Sequence, residues 1–316
     1  MARYLTSKTL IDSATRRAMI PKSQVTFTEE DFLAFANEEM DTAVIPYVMS
    51  FHEDYFLFDE NVPLQKGVSQ YAIPYRAAGN KLRDVAFQDT GNNIFEMTRI
   101  LVEDISFYQH NGNTGSNSPL RAFYIKNNDV CLMPEIGLDI QGHIRMYYYI
   151  RPSALVSEDR AMIVQAIDTV TGQVTVDKIP TIFGINTLVD FIKVKSPHKC
   201  MSIDKAITNV DTVNNIISFS TTDLPSKLVV GDHICVAEEC IIPQIPTDLH
   251  SLLSQRMACR CLEALGDQQG LAAANAKLTE MELKLGTVVD DRVEGSAIKV
   301  VNRHTALRNA RNYYRR

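Results

Sequence analysis

The sequence predicts an α+β fold: a helical bundle, built from a long N-terminal helix and a C-terminal helical hairpin, carrying an inserted small β-barrel or sandwich domain and an extended C-terminal tail. Three observations lead there. Apolar residues recur at helical spacing around Phe32–Tyr47 and again over Leu249–Leu285. Short apolar stretches separated by turn residues fill the middle of the chain. After Asp291 the composition turns basic. The corresponding units are 1–156 (N-terminal helices and a β segment), 157–240 (inserted β domain), 241–291 (hairpin) and 292–316 (tail).

In chain order, Leu10, Ile11, Ala14 and Ala18 give a short amphipathic helix ended by Pro21. Thr28 and Asp31 form a capping-box pair, with Asp in place of the usual Glu, opening the long helix. Its apolar face is Phe32, Phe35, Ala36, Met40, Ala43, Val44 and Tyr47, and Pro46 should kink or interrupt it. Strand-like stretches follow at Gln70–Pro74, Leu82–Gln88, Arg121–Ile125, Val130–Met133 and His143–Ile150, with a glycine- and asparagine-rich loop at Asn111–Ser118. In the insert, Ile163–Ile167, Val174–Val176, Leu188–Val194, Ile207–Val210, Ile216–Phe219 and His233–Val236 read as strands, with turns at Thr171-Gly172 and Asn214-Asn215. The hairpin opens with Thr247 as N-cap and breaks at Gly266. Its second helix carries a narrow stripe, Leu271, Ala274, Leu278, Met281 and Leu285, that requires a partner.

The net charge is −6, yet Arg292–Arg316 alone carries +6, which leaves −12 for the body. An acidic body grips DNA poorly, while a basic tail suits an acidic partner surface. No apolar run approaches the ~20 residues of a membrane span, and Met1–Ile20 lacks the apolar core of a signal peptide. Six scattered cysteines point to a reducing compartment.

Phosphate-loop, dinucleotide, nucleophile-elbow and zincin motifs are absent from the sequence. His198, Cys200, His233, Cys235 and Cys240 lack zinc-ligand spacing, and the cysteines read as buried strand residues. Cys259 and Cys261 point to different faces of one helix. Glu29-Glu30-Asp31 suits a helix first turn, Glu38-Glu39 a solvated face and Asp290-Asp291 a helix end. Catalytic, metal and cofactor assignments are therefore none. Tyr147-Tyr148-Tyr149, between Arg145 and Arg151, could stack bases, but strand alternation favours packing on two faces. The tail mixes apolar and aromatic residues with arginine, the make-up of an interface segment.

Three stretches together, Phe27–Phe56, His143–Val156 and Ile242–Asp267 running on to Asp290–Arg308, resemble head-to-tail adaptor (connector) proteins of tailed bacteriophages, of the short-tailed type. The resemblance brackets most of the chain and excludes the β insert. It implies a non-enzymatic virion protein assembled in the host cytoplasm and sited at the head–tail junction. About twelve copies would form a ring beneath the portal protein, joined below to tail or further ring proteins. Genomic DNA would pass through without sequence-specific contacts, and no membrane is involved. Portal contacts would fall to Arg303, Leu307, Arg308, Arg311, Tyr313, Tyr314, Arg315 and Arg316, and subunit contacts to Leu278, Met281 and Leu285. Two other classes stay open: a nucleic-acid-binding module using Tyr147–Tyr149 and the basic tail, and a virion enzyme such as a peptidoglycan hydrolase.

Overall fold

The computed structural model describes residues 4–21, 23, 26–106, 120, 122–133 and 141–289. The capping box forms: the Asp31 N–H donates to the Thr28 hydroxyl at 3.2 Å and the Thr28 N–H donates to the Asp31 carboxylate at 2.8 Å. From there the chain departs from a single long helix. Helix α1 (Ser7–Arg17) is followed by α2 (Glu29–Glu39), a π-helical turn (Met40–Val44) and α3 (Ile45–Phe51). Pro46 explains the break. It has no N–H for the Thr42 carbonyl and its ring crowds that group. The backbone widens ahead of it, so that the Ile45 N–H reaches five residues back to Met40.

Strands, not a helical bundle, make up the larger part of the architecture. The fold is mixed α and β, with four sheets. The strands are β1 (Leu57–Pro63), β2 (Gln70–Ala72), β3 (Ala77–Asp89), β4 (Ile94–Glu96), β5 (Thr98–Arg99), β6 (Ala122–Lys126), β7 (Asp129–Met133), β8 (Gly142–Ile150) and β9 (Ala154–Leu155). After them come β10 (Met162–Asp168), β11 (Gln173–Val176), β12 (Leu188–Ile192), β13 (Cys200–Ala206), β14 (Asn209–Asp211), β15 (Ile216–Ser218), β16 (His233–Val236) and β17 (Glu239–Cys240). One sheet has the order β1-β8-β3-β4, a second β2-β7-β6-β5, and β9 pairs in parallel with β17. The bundle expectation rests on helical periodicity and passes over β1 and β13, whose sequences, LFDENVP and CMSIDKA, do not alternate apolar with polar residues.

The fourth sheet is antiparallel, seven-stranded, in the order β13-β12-β16-β10-β11-β15-β14. The small barrel or sandwich expected here is replaced by this single sheet, which curls. Phe191 on β12 and Phe219 just after β15 have ring centroids 5.0 Å apart, although four strand spacings of about 4.8 Å separate those strands along the sheet. Rolling the sheet around one core of Met162, Val164, Val174, Phe191, Ile217 and Ile234 brings them together. Its edges, β13 and β14, do not pair with each other.

The C-terminal helices are α4 (His250–Leu265) and α5 (Gln268–Val289), divided at Gly266 in the left-handed region (φ +71°). Thr247 does not cap α4. It belongs to a 3-10 turn, and its hydroxyl pairs instead with His198 Nε2 at 3.2 Å. Helix α4 is the centre of the helical layer: α1, α2 and α5 all pack on it. It buries Leu252, Leu253, Met257, Ala258, Cys261 and Leu262, and also Cys259, so both cysteines are interior.

Candidate functional site

The helical layer is where the sequence places assembly contacts. Leu278, Met281 and Leu285 on α5 are half-buried against the chain's own core, together with Leu271, rather than facing outward. Near the end of α5 a glycine sets the spacing: a Cβ on Gly286 would lie 3.0 Å from the Tyr47 hydroxyl and 3.2 Å from the Phe51 ring. The Tyr47 hydroxyl donates to the carbonyl of Glu282, tying α3 to α5. Leu283 remains on the outer face, 75% exposed. The predicted portal residues Arg303, Leu307, Arg308, Arg311, Tyr313, Tyr314, Arg315 and Arg316 lie outside the described residues.

Charge holds the layer together. Glu39, expected on a solvated face, is 6% exposed. It accepts from Arg256 at 3.1 Å and from Arg260 at 2.5 Å. Arg256 also pairs with Glu282, and Arg260 with Glu38. Arg256 and Arg260 are one helical turn apart on α4, which aims both guanidinium groups at the end of α2.

A second charge cluster joins the seven-stranded sheet to the rest. Arg76, following β2, is buried and pairs with Asp190 on β12 at 2.9 Å and Asp204 on β13 at 2.8 Å. Asp190 also accepts the backbone N–H of Asp204 and of Glu238. Burial pushes the Asp190 carboxyl up even against the pull of Arg76. Beside the cluster a polar cavity of about 150 Å³ is lined by Asn37, Asp41, Arg76, Arg151 and Glu238, suited to ordered water.

Tyr147–Tyr149 lie on β8, paired on both sides by β1 and β3. Tyr148 is fully buried, its hydroxyl 3.3 Å from Glu60, and Tyr149 packs against the helical core. The Arg145 guanidinium lies over the Tyr147 ring. A continuous three-ring stacking surface is therefore not formed.

Burial disfavours the reactive thiolate at Cys200, Cys235, Cys240, Cys259 and Cys261. Burial pushes the Cys200 thiol up to about 12 and the Cys261 thiol up to about 11, and raises Cys235 and Cys240 as well. Among the described residues no group of three or more His, Cys, Asp or Glu side chains is arranged to hold a metal. No described helix is long and apolar enough to cross a membrane. Protein-family models and curated proteins give no match to this chain.

Arg76, Asp190 and Asp204 were invisible as a group in the sequence. One signal was available: Asp190 interrupts the apolar run Leu188-Val189-Asp190-Phe191-Ile192, where a charge requires a buried partner. Arg256 and Arg260, on a helix otherwise buried nearly all round, were the matching signal for Glu39.

Proposed function

We propose that this protein is a non-catalytic virion subunit, a head-to-tail adaptor of a tailed phage. In this reading copies of the chain form a ring, docked by its basic C-terminal segment on a portal protein and continued below by tail or further ring proteins. The observation that carries the reading is convergence. The three stretches bearing the adaptor resemblance, far apart in sequence, meet in a single core. Phe32, Ala36 and Met40 of the first, Leu155 and Tyr149 of the second, and Leu252, Leu253 and Met257 of the third share it. Asn37 fastens the first to the second, donating to the Leu155 carbonyl at 3.1 Å and accepting its N–H at 2.7 Å. The reading rests on this helical layer and not on a bundle. The body's charge of −12 would let DNA pass without adhering.

The test is deletion of Asn302–Arg316. Mixed with the portal protein of the same phage, the full chain should form a ring complex visible by electron microscopy. The truncated chain should bind at least about tenfold more weakly, about 1.4 kcal/mol, with an unchanged melting temperature. Unchanged portal binding at the same salt would move docking to the body, and complexes holding one or two copies would remove the ring.

A further inference from the structure

The segment Tyr4–Thr6, just ahead of α1, is held by two histidines from distant parts of the chain. The Leu5 N–H donates to Nδ1 of His250, the first residue of α4, at 3.0 Å. Tyr4 meets the His198 ring edge-on with centroids 5.2 Å apart, and His198 lies 5.4 Å from His250. Both histidines are 1% exposed. Just beyond the segment the Ser7 N–H donates to the Ile241 carbonyl at 2.8 Å. An open cleft of about 390 Å³, lined by Tyr4, Lys195, His198, Thr247 and Asp248 among others, runs alongside.

The hydrogen bond fixes the tautomer. Because Nδ1 accepts, the neutral His250 ring carries its proton on Nε2, which is buried without a hydrogen-bond partner. A second proton has only Nδ1 to occupy, and there it would oppose the Leu5 N–H, donor against donor. The resulting cation would also sit at the positive end of α4, beside His198. We propose that Tyr4–Thr6 is an acid-releasable strap: protonation of His250 at Nδ1 expels the Leu5 N–H and frees the segment from α4 and from the His198 loop. The proposal is independent of the adaptor reading.

The surrounding groups set the pH window. Burial holds His250 down to about 4, and His198 pushes the same way, while the backbone carbonyls of Ile245 and Pro243 favour the charged ring and are outweighed. Burial lowers His198 too. Behind it, burial lowers His233 against the opposing charges of Asp232, Asp177 and Glu158. Lys195 and Asp248 put one charge of each sign on the cleft. The folded-state value of His250 lies below the ordinary 6.5, so the strap is held fully above about 6.5. Its hold weakens by about tenfold per pH unit on the way down to about 4.

Hydrogen exchange on the full chain reads this directly. After correction for intrinsic rates, the Leu5 and Ser7 amides should lose at least about tenfold in protection between about pH 7.5 and about pH 4.5, with the interior of α4 still protected. In His250→Gln the amide oxygen accepts from Leu5 without titrating, so protection should persist at the lower pH. The chain has no tryptophan, so Tyr4→Trp adds a single reporter whose emission should shift to the red on release. Equal strap protection at both pH values overturns the proposal, as does simultaneous loss of protection in the strap and in α4. Acid release that survives His250→Gln overturns it equally.

Discussion

The Arg76–Asp190–Asp204 cluster and the Glu39–Arg256–Arg260 cluster each tie together segments far apart in sequence, yet in different surroundings. In the first, the Arg76 and Asp190 side chains are 2% and 0% exposed. In the second, the Glu39 side chain is 8% exposed but Arg256 and Arg260 are 20% and 35% exposed, and they share further acids at the rim. Water can take over for a lost partner at the second cluster; at the first it reaches Asp204, 23% exposed, and the cavity beside Arg76, but not Asp190, which has no exposed surface. A buried pair gains little net stability over an apolar pair, but removing one member leaves a charge with nowhere to go. The seven-stranded sheet is thus fixed to the rest of the molecule by a contact that is costly to break singly. The helical layer is fixed by one that degrades gradually.

Removing Arg76 is the most severe way to break that comparison. Arg76→Ala should destabilise the fold by about 3–5 kcal/mol, measured by chemical denaturation. Its pH dependence carries the sign. With its cation gone, Asp190 is raised further above its ordinary value, so protonating it stabilises the folded state. The gap between variant and wild type should therefore narrow as the pH falls from about 7 to about 5 and widen as it rises. A constant gap across that range would mean that Asp190 is not the group left stranded.

Glu39→Gln comes next. It keeps the shape and one acceptor but removes the charge facing two guanidinium groups. With Arg256 and Arg260 still able to reach water, Glu282 and Glu38, the expected loss is about 1–2 kcal/mol. A loss as large as that of Arg76→Ala would place both clusters in the same dielectric class and end the distinction drawn above.

The ease of reading these regions from sequence follows the range of the forces involved. The Thr28–Asp31 cap, the Gly266 break and the α4–α5 hairpin depend on residues within a few positions of one another, and they are legible. So are the strands around the Gly172 and Asn215 turns, where positive φ values of +72° and +55° suit Gly and Asn. What failed was non-local. The weight of the sheets over the helices depended on β1 finding β8 about ninety positions away, and the curl of the seven-stranded sheet depended on Phe191 meeting Phe219. The strap contact joins Leu5 to His250, and nothing near either residue announces it. The α5 stripe was recognised as needing a partner. The partner in the structure is the chain's own core, because α3 and α4 offer a groove that only the folded layer creates.

The smallest effect belongs to a third charge cluster, Lys277, Glu280 and Lys284 on the outer face of α5, which calibrates the other two. Glu280 pairs with Lys277 at 2.8 Å and also with Lys284. Hydrogen bonds to those lysines, and then their charges, pull its carboxyl down to about 2. With the folded value below the ordinary 4.5, any stabilisation is present above about 4.5 and lost as the pH falls toward about 2. The three side chains are between 45% and 73% exposed. Solvent screening and the entropy of holding long side chains together therefore cancel most of the attraction. Glu280→Gln should leave the melting temperature within experimental scatter at neutral pH, in low salt and in high salt alike. A drop comparable to that of Glu39→Gln, persisting in high salt, would show that this face of α5 is shielded from water in solution. The outer surface around Leu283 would then be covered by another copy of the chain.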